Sequence, residues 1–371
     1  MKTLKKILIL IFLSGCGQSK NQKEKDEALV KIDTILIDSR SELIFLRDNL
    51  SNSLVSLDGN YLYNYNADKP AIEKINLMDG ILEKSIQIEK EGPNGIGDNS
   101  LSLHILNDSL FVLSGSDNYL ILDNKADLVK SVKLGFHFYY DERLIDSFMT
   151  MEFLYRDQKA YSIIGIRQSF SNKLMVYTEE TDSFQIFDIP KSGLIKSASI
   201  ISVPGNSFYY VPQLTLSQVN DKIIISNRTF PDIVVTNTDS IDFIHYYPES
   251  ELYSKIEEVD EVPQVKTQED VEEFLFDIDK RMNFLPPIWD SHSNVFYRWG
   301  FKLSSSYRDF ESREYDNFLF IMDSNFKIVN EFKIPKVRLR PYKTFIRDNK
   351  IYLYQNYNDE LMFIRFWLDI L

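Results

Sequence analysis

One hairpin pattern is written six times along this 371-residue chain, and it constrains the fold more than any other feature. Its first copy is Leu57-Asp58-Gly59-Asn60-Tyr61-Leu62-Tyr63-Asn64: an apolar run, a tight polar turn, then a strand rich in aromatic residues. The other copies lie at 103–114, 153–165, 216–227, 288–300 and 344–355, with Asp, Asn or Ser in their turns. Such side chains tolerate the positive φ angles, or supply the local hydrogen bonds, that a short reversal needs.

Each copy opens a cell of four short strands, at 54–88, 101–134, 151–189, 213–247 and 288–334. The sixth cell, 342–367, offers three strands only. A surplus alternating segment at 28–38 (Leu29, Lys31 and Asp33 against Val30, Ile32 and Thr34) has the length and pattern to supply the fourth. Pairing an N-terminal strand into the last sheet closes a ring and removes the exposed edges of an open sheet. The expected fold is therefore all-β: a six-bladed β-propeller of four-stranded antiparallel blades, closed by an N-terminal strand. The alternative is a two-sheet sandwich, which regular four-strand cells with a shortened last one fit less well.

The segment 248–287 interrupts the pattern and carries no strand signal. Thr267 is placed to cap a helix with Asp270 three residues on, and Val271, Phe274, Leu275, Ile278 and Met282 recur at helical spacing. One inserted helix is expected there. A stretch this short cannot bury a core of its own, so the helix must lie against the ring.

Residues 1–16 read as a lipoprotein signal. Lys2, Lys5 and Lys6 form a charged start, and Ile7 to Leu13 an apolar run far below the roughly 18 residues that span a bilayer. Leu13-Ser14-Gly15-Cys16 then matches a bacterial lipobox, in which the cysteine is acylated and becomes the mature N-terminus. Cys16 is the only cysteine, which rules out intrachain disulfides and leaves no thiol for catalysis once it is acylated. Residues 17–27 are polar and aperiodic, a flexible tether to the propeller at 28–371.

Composition narrows the function. The chain is 13% aromatic, enough for a large strand-built core, and its formal charge of -13 with no basic run makes it a poor partner for nucleic acid. No G-x-S-x-G, P-loop, H-E-x-x-H or EF-hand pattern occurs, and His104, His137, His245 and His292 lack metal-ligand spacing. No cofactor and no metal site is indicated.

In a four-strand meander, loops after strands one and three leave one end of the ring, and loops after strands two and four leave the other. The long connections 135–150, 190–212, 248–287 and 302–316 all belong to the second class, and elaborated loops on a rigid scaffold are where binding usually sits. The ends of second strands bring Asn64, Arg167, Asn227, Arg228, Arg298 and Gln355 to that decorated face, and the loop that opens at Glu91 lies there too. Guanidinium groups suit carboxylate, phosphate or sulfate. The alternative for these arginines is pairing with Asp and Glu between blades. Trp289, Trp299 and Trp367 read as blade packing rather than as platforms for sugars.

The lipobox, the loop Glu91-Gly92-Pro93-Asn94-Gly95-Ile96-Gly97 and the six cells together resemble the six-bladed propeller lipoproteins of Bacteroidota, and the group known as domain of unknown function 4221 in particular. The resemblance implies an envelope lipoprotein with a TolB-like propeller shape and carries over no activity or catalytic residue. Surface-exported lipoproteins of this type carry acidic residues after the cysteine. Here Gly17-Gln18-Ser19-Lys20 stands in that place, which points to the outer membrane facing the periplasm. The leading functional expectation is a non-enzymatic binding propeller, anchored through lipidated Cys16, for an envelope protein partner or an anionic small ligand. The other is a hydrolase or lyase acting on glycan or peptide at the channel mouth. An acidic pair beside the arginines would favour the enzyme, and a flat apolar rim around the insert would favour a protein partner.

Overall fold

The structure is a computed structural model that describes residues 30–89, 91, 102–107, 109–114, 118–133, 147–166, 169–202, 209–255, 262–305, 312–335 and 337–368. Six antiparallel sheets follow one another along the chain, each a simple meander of neighbouring strands. Blade one is Ser53–Val55, Tyr61–Asn66, Ala71–Asn76 and Ile81–Gln87. Blade two is Ser102–Asn107, Leu110–Ser114, Asn118–Asp123 and Leu128–Lys133; blade three is Ser147–Arg156, Lys159–Ile166, Ser171–Thr178 and Ser183–Asp188. Leu214–Val219, Lys222–Asn227, Ile233–Asn237 and Ile244–Tyr246 form blade four. In blade five the inner position is shared by Asn283–Phe284 and Ile288–Asp290, followed by Val295–Leu303, Tyr315–Met322 and Ile328–Ile334. The six-bladed propeller expected from the repeat is the fold.

Closure follows the expected route. Blade six comprises Thr344–Arg347, Lys350–Tyr357 and Glu360–Leu368, and Val30–Leu36 adds the outermost strand, antiparallel, from Val30 opposite Leu368 to Leu36 opposite Met362. The same segment then reaches blade one. The Asp38 amide donates to the Gly80 carbonyl, and the Leu82 amide donates to the Asp38 carbonyl, each at 2.8 Å. One stretch of chain thus ties the last blade to the first.

The second strands show why the repeat is so apolar. Leu62 to Asn66, Ala160 to Gly165, Ile223 to Asn227 and Phe296 to Phe301 are buried without interruption. A blade is covered on both faces by its neighbours, so alternate side chains enter alternate inter-blade cores. Ile163 and Ile225 meet between blades three and four, while Ile224 and Phe296 meet between blades four and five. The hairpin turns use the predicted chemistry: Gly59 has φ +74°, Asp348 and Asn349 have φ 49° and 56°, and Asp157 and Gln158 have φ 49° and 60°. At Gly300 a different constraint operates. A Cβ there would stand 2.5 Å from Phe320 Cε2 and 3.1 Å from Met282 Sδ, so the glycine lets both side chains close on blade five.

The insert holds helix α1, Gln268–Lys280, with a full capping box between Thr267 and Asp270 as the sequence predicts. Two features of this region depart from expectation. Gln264–Val265 lies parallel to Ile200–Ser202, which also pairs with Tyr209–Tyr210, so the insert and the 190–212 connection share a small sheet. Each strand is too short to show periodicity, and the pairing is non-local. Helix α1 also buries a second flank. Ile278 packs with Leu194, Ala198 and Phe230, as the periodicity predicts, but Phe276 packs against Phe301, Leu303 and Tyr315 of blade five. Burying each such side chain contributes about 1.5–3 kcal/mol, so the helix is fixed to the ring from two sides.

Candidate functional site

The decorated face holds a cavity of about 460 Å³ between helix α1 and blade five. Every element that lines it leaves a second or a fourth strand. Arg228 follows the second strand of blade four, Arg313 the second strand of blade five, and Arg340 the fourth strand of blade five. Helix α1 contributes Glu272, Leu275, Phe276 and Asp279. The helical repeat sets this: positions 272, 275, 276 and 279 fall on one face.

Asp279 is the charge around which the arginines gather. It is buried, with Arg313 Nη1 at 3.1 Å, Arg340 Nη1 at 3.6 Å and the Tyr315 hydroxyl donating at 3.4 Å. Burial raises its pKa, and the charges of Arg228 and Arg313 oppose that rise. Arg313 lies over the Phe276 ring and Arg340 over the Phe301 and Tyr315 rings, so apolar walls hold both guanidinium planes. Arg228 differs. Its guanidinium carbon stands 5.8 Å from the Phe301 ring, and its Nε is buried with no hydrogen-bond partner among the described residues. Three guanidinium groups thus face two carboxylates around one cavity, and the buried Arg228 Nε is unused among the described residues. Such a donor costs free energy unless a ligand or water meets it.

Among the described residues that the sequence brought to this face, only Arg228 lines the pocket. Arg298 is a correction: it lies in the wall between blades four and five, 1% exposed. It donates to the carbonyls of Pro231, Asn227 (2.9 Å), Phe230 (3.3 Å) and Leu285 (3.3 Å), and its pKa is pushed down by burial to about 10. Its partners are backbone carbonyls, not the Asp and Glu of the alternative reading. Asn64 is buried too, donating to the Phe45 carbonyl and to Glu73 at 2.8 Å each. Asn227 turns its side-chain oxygen to the Thr229 amide at 2.8 Å, which shapes the strand end. Gln355 donates to the Asn356 carbonyl and is not part of the pocket. Glu91 is exposed, while Arg167 and the rest of the glycine-rich loop lie outside the described residues, as does Cys16. Arg313 and Arg340 were missed because they sit in long connections outside the repeated hairpin, where no repeat marks them.

A second polar group lies along the axis. The first strands of neighbouring blades pack together around it, leaving edge amides and carbonyls unpaired by any ladder. Side chains cap some of these. Glu152 of blade three accepts the Leu216 amide of blade four at 2.8 Å, and Lys343 Nζ donates to the Ser53 carbonyl of blade one at 2.5 Å. Both residues are half-buried. Enclosure pushes the Glu152 carboxyl up to about 7 and the Lys343 ammonium down to about 8, with each charge partly supporting the other. The His104 ring, beside Phe153, is driven by burial to about 3 and is neutral. Among the described residues no group of His, Cys, Asp and Glu is placed to hold a metal ion.

Fold and site together define a six-bladed β-propeller with an arginine-lined pocket under a helical insert. The chain belongs to the family described as a domain of unknown function, DUF4221, whose family model matches residues 26–333. It is similar to the crystal structure of a DUF4221 member from Bacteroides vulgatus, at 12% identity over 92% of this chain and 98% of that one, with a TM-score of 0.66. It is more distantly similar to the calcium-binding protein regucalcin from Agrobacterium tumefaciens, at 7% identity over 90% of each chain and a TM-score of 0.42. No curated protein matches. These likenesses concern the fold.

Proposed function

We propose that this chain is a non-enzymatic binding propeller of the bacterial envelope, anchored through acylated Cys16 in the outer membrane and facing the periplasm. Its pocket takes an anionic group carried by a ligand with an apolar portion. The observation that carries the reading is the unpartnered Arg228 Nε beside Arg313 and Arg340, in a cavity with Leu275, Phe276 and Ile278 in its wall. Fixed guanidinium forks recognise carboxylate or phosphate, and the apolar wall adds area. Among the described residues, helix α1 exposes no apolar rim for a protein partner. Gln268, Glu269, Asp270, Glu272, Glu273, Asp277 and Lys280 are the exposed side chains of helix α1, all polar.

The test is a thermal-shift screen of the full chain with anionic sugars, peptidoglycan fragments, nucleotides and peptides. A true ligand at a hundred times its Kd stabilises by about 2.7 kcal/mol. That shift is expected to vanish in Arg228→Ala, whose own stability stays near that of the parent. Stabilisation by no compound, or a shift that survives Arg228→Ala, overturns the reading.

One observation favours the enzymatic alternative. Glu272 and Asp279 are two carboxylates on one helix face beside Arg228, the pairing a propeller hydrolase or lyase needs. Asp279 is engaged by Arg313, Arg340 and Tyr315, which suits a fixed counter-charge better than a proton carrier. Turnover of a glycan or peptide that Asp279→Asn abolishes would reverse this preference.

A further inference from the structure

On the opposite end of the ring, a cavity of about 370 Å³ opens between blades five and six. It belongs to the short-turn face. His292 and Ser293 lie in the first turn of blade five, Asn349 lies in the first turn of blade six, and Trp367 lies near the end of that blade's third strand. Buried Tyr297 and Phe366 form its floor.

Trp367 is set apart from the other two tryptophans. Trp299 is 1% exposed and donates its indole N–H to Asn317 at 2.8 Å, while Trp289 packs on Phe296 at 4.7 Å between ring centroids. Both are blade packing, as the sequence reading expects. Trp367, half-buried like Trp289, instead lines the cavity wall.

The polar groups around it are unspent. One oxygen of Asp290 accepts the His292 amide at 3.0 Å, and the carboxylate is otherwise unengaged among the described residues. The His292 ring, the Asn349 carboxamide and the Trp367 indole N–H likewise have no hydrogen-bond partner among the described residues. The site therefore offers an acceptor pair, an amide able to donate and accept, an imidazole and an aromatic wall, drawn from two blades.

Charge selects among ligand classes. Asp290, a carboxylate in the lining, repels an anion on its side of the cavity. A cation would meet the Lys350 ammonium, which already stands 4.7 Å from the centre of the Trp367 ring. A neutral ring bearing several hydroxyls suits what remains. Its C–H face packs on an indole, and its vicinal hydroxyls bond to carboxylate, carboxamide and imidazole.

We propose that the cavity between blades five and six is a binding site for a neutral saccharide, with Trp367 as the stacking platform and Asp290, His292 and Asn349 as the hydroxyl-binding groups. The site is separate from the arginine pocket and takes ligand independently of it.

The test is titration calorimetry of the full chain with neutral gluco-, xylo-, manno- and chito-oligosaccharides, and with galacturonate oligomers for comparison. At least one neutral series is expected to bind with a Kd below about 1 mM, and galacturonate at least about tenfold more weakly. Binding should change indole emission and should fall at least about tenfold in Trp367→Ala. His292→Ala/Asn349→Ala alters exposed turn side chains only, keeps the fold by circular dichroism, and is expected to weaken binding equally. Arg228→Ala should leave saccharide binding unchanged, which separates this site from the anion pocket. Absence of binding by every neutral series overturns the proposal. So does binding that His292→Ala/Asn349→Ala leaves intact, or that Arg228→Ala removes.

Discussion

Asp33 and Arg365 stand directly opposite each other across the closing strand pair, and the guanidinium holds both carboxylate oxygens, at 2.6 and 2.7 Å. The pair joins the N-terminal strand to the last blade at the middle of their seven-residue register. Bidentate geometry makes it more than a chance surface contact, although both side chains keep some exposure. Arg365→Ala is expected to cost about 1 kcal/mol, and a double-mutant cycle with Asp33→Ala should return most of that as coupling. Additive single effects would show that the strand is held by its ladder and the Ile35 and Ile37 contacts alone.

Arg298 carries a larger share of stability. Its guanidinium satisfies carbonyls of Asn227, Phe230 and Pro231 in blade four and of Leu285 in the insert. Arg298→Ala leaves those acceptors buried and opens a void, so a loss of about 3–5 kcal/mol is expected in denaturant unfolding. Arg228→Ala, one blade-end away, should lose well under about 1 kcal/mol because it breaks no hydrogen bond. Equal losses at the two positions would contradict their assignment to core and site.

The axial pair gives a pH signature. The Glu152 carboxyl is raised from 4.5 to about 7 in the folded chain, so the native state binds its proton more tightly than the unfolded chain does. Stability from this group therefore falls as pH rises from 4.5 towards 7, with a slope of up to about 1.4 kcal/mol per pH unit that its partial exposure reduces. Lys343 is lowered from 10.5 to about 8, so its contribution works the other way, rising with pH above 8. Melting temperatures from pH 5 to 8 should show a weaker fall in Glu152→Gln than in the parent. Parallel curves would mean that Glu152 titrates alike in both states.

Helix α1 depends on its first turn. Thr267 accepts the Asp270 amide at 3.1 Å, and Asp270 accepts the Thr267 amide at 2.9 Å. Thr267→Ala is expected to cost about 1 kcal/mol and to raise hydrogen exchange in α1 before it touches the blades. Because Glu272, Leu275, Phe276 and Asp279 line the arginine pocket, the same variant should weaken anion binding. Unchanged exchange in α1 would show that burial of Phe276 and Ile278 alone orders the helix.

Blade number, strand order, ring closure and the capped helix were all determined by the sequence alone. Each rests on short-range signals: alternation at two residues, turn residues at positive φ, and a capping box spanning four positions. The fate of the arginines was decided only in three dimensions. Arg228 follows the second strand of blade four and Arg298 lies within that of blade five, yet one faces a cavity and the other is walled in by carbonyls of Pro231 and Leu285. Arg313 and Arg340, far apart in the chain, meet at Asp279 because helix α1 packs on blade five through Phe276. Trp367 differs from Trp299 in the same way, by what the neighbouring blade places beside it. Burial and partnership of a long polar side chain are set by distant segments, and no local pattern records them.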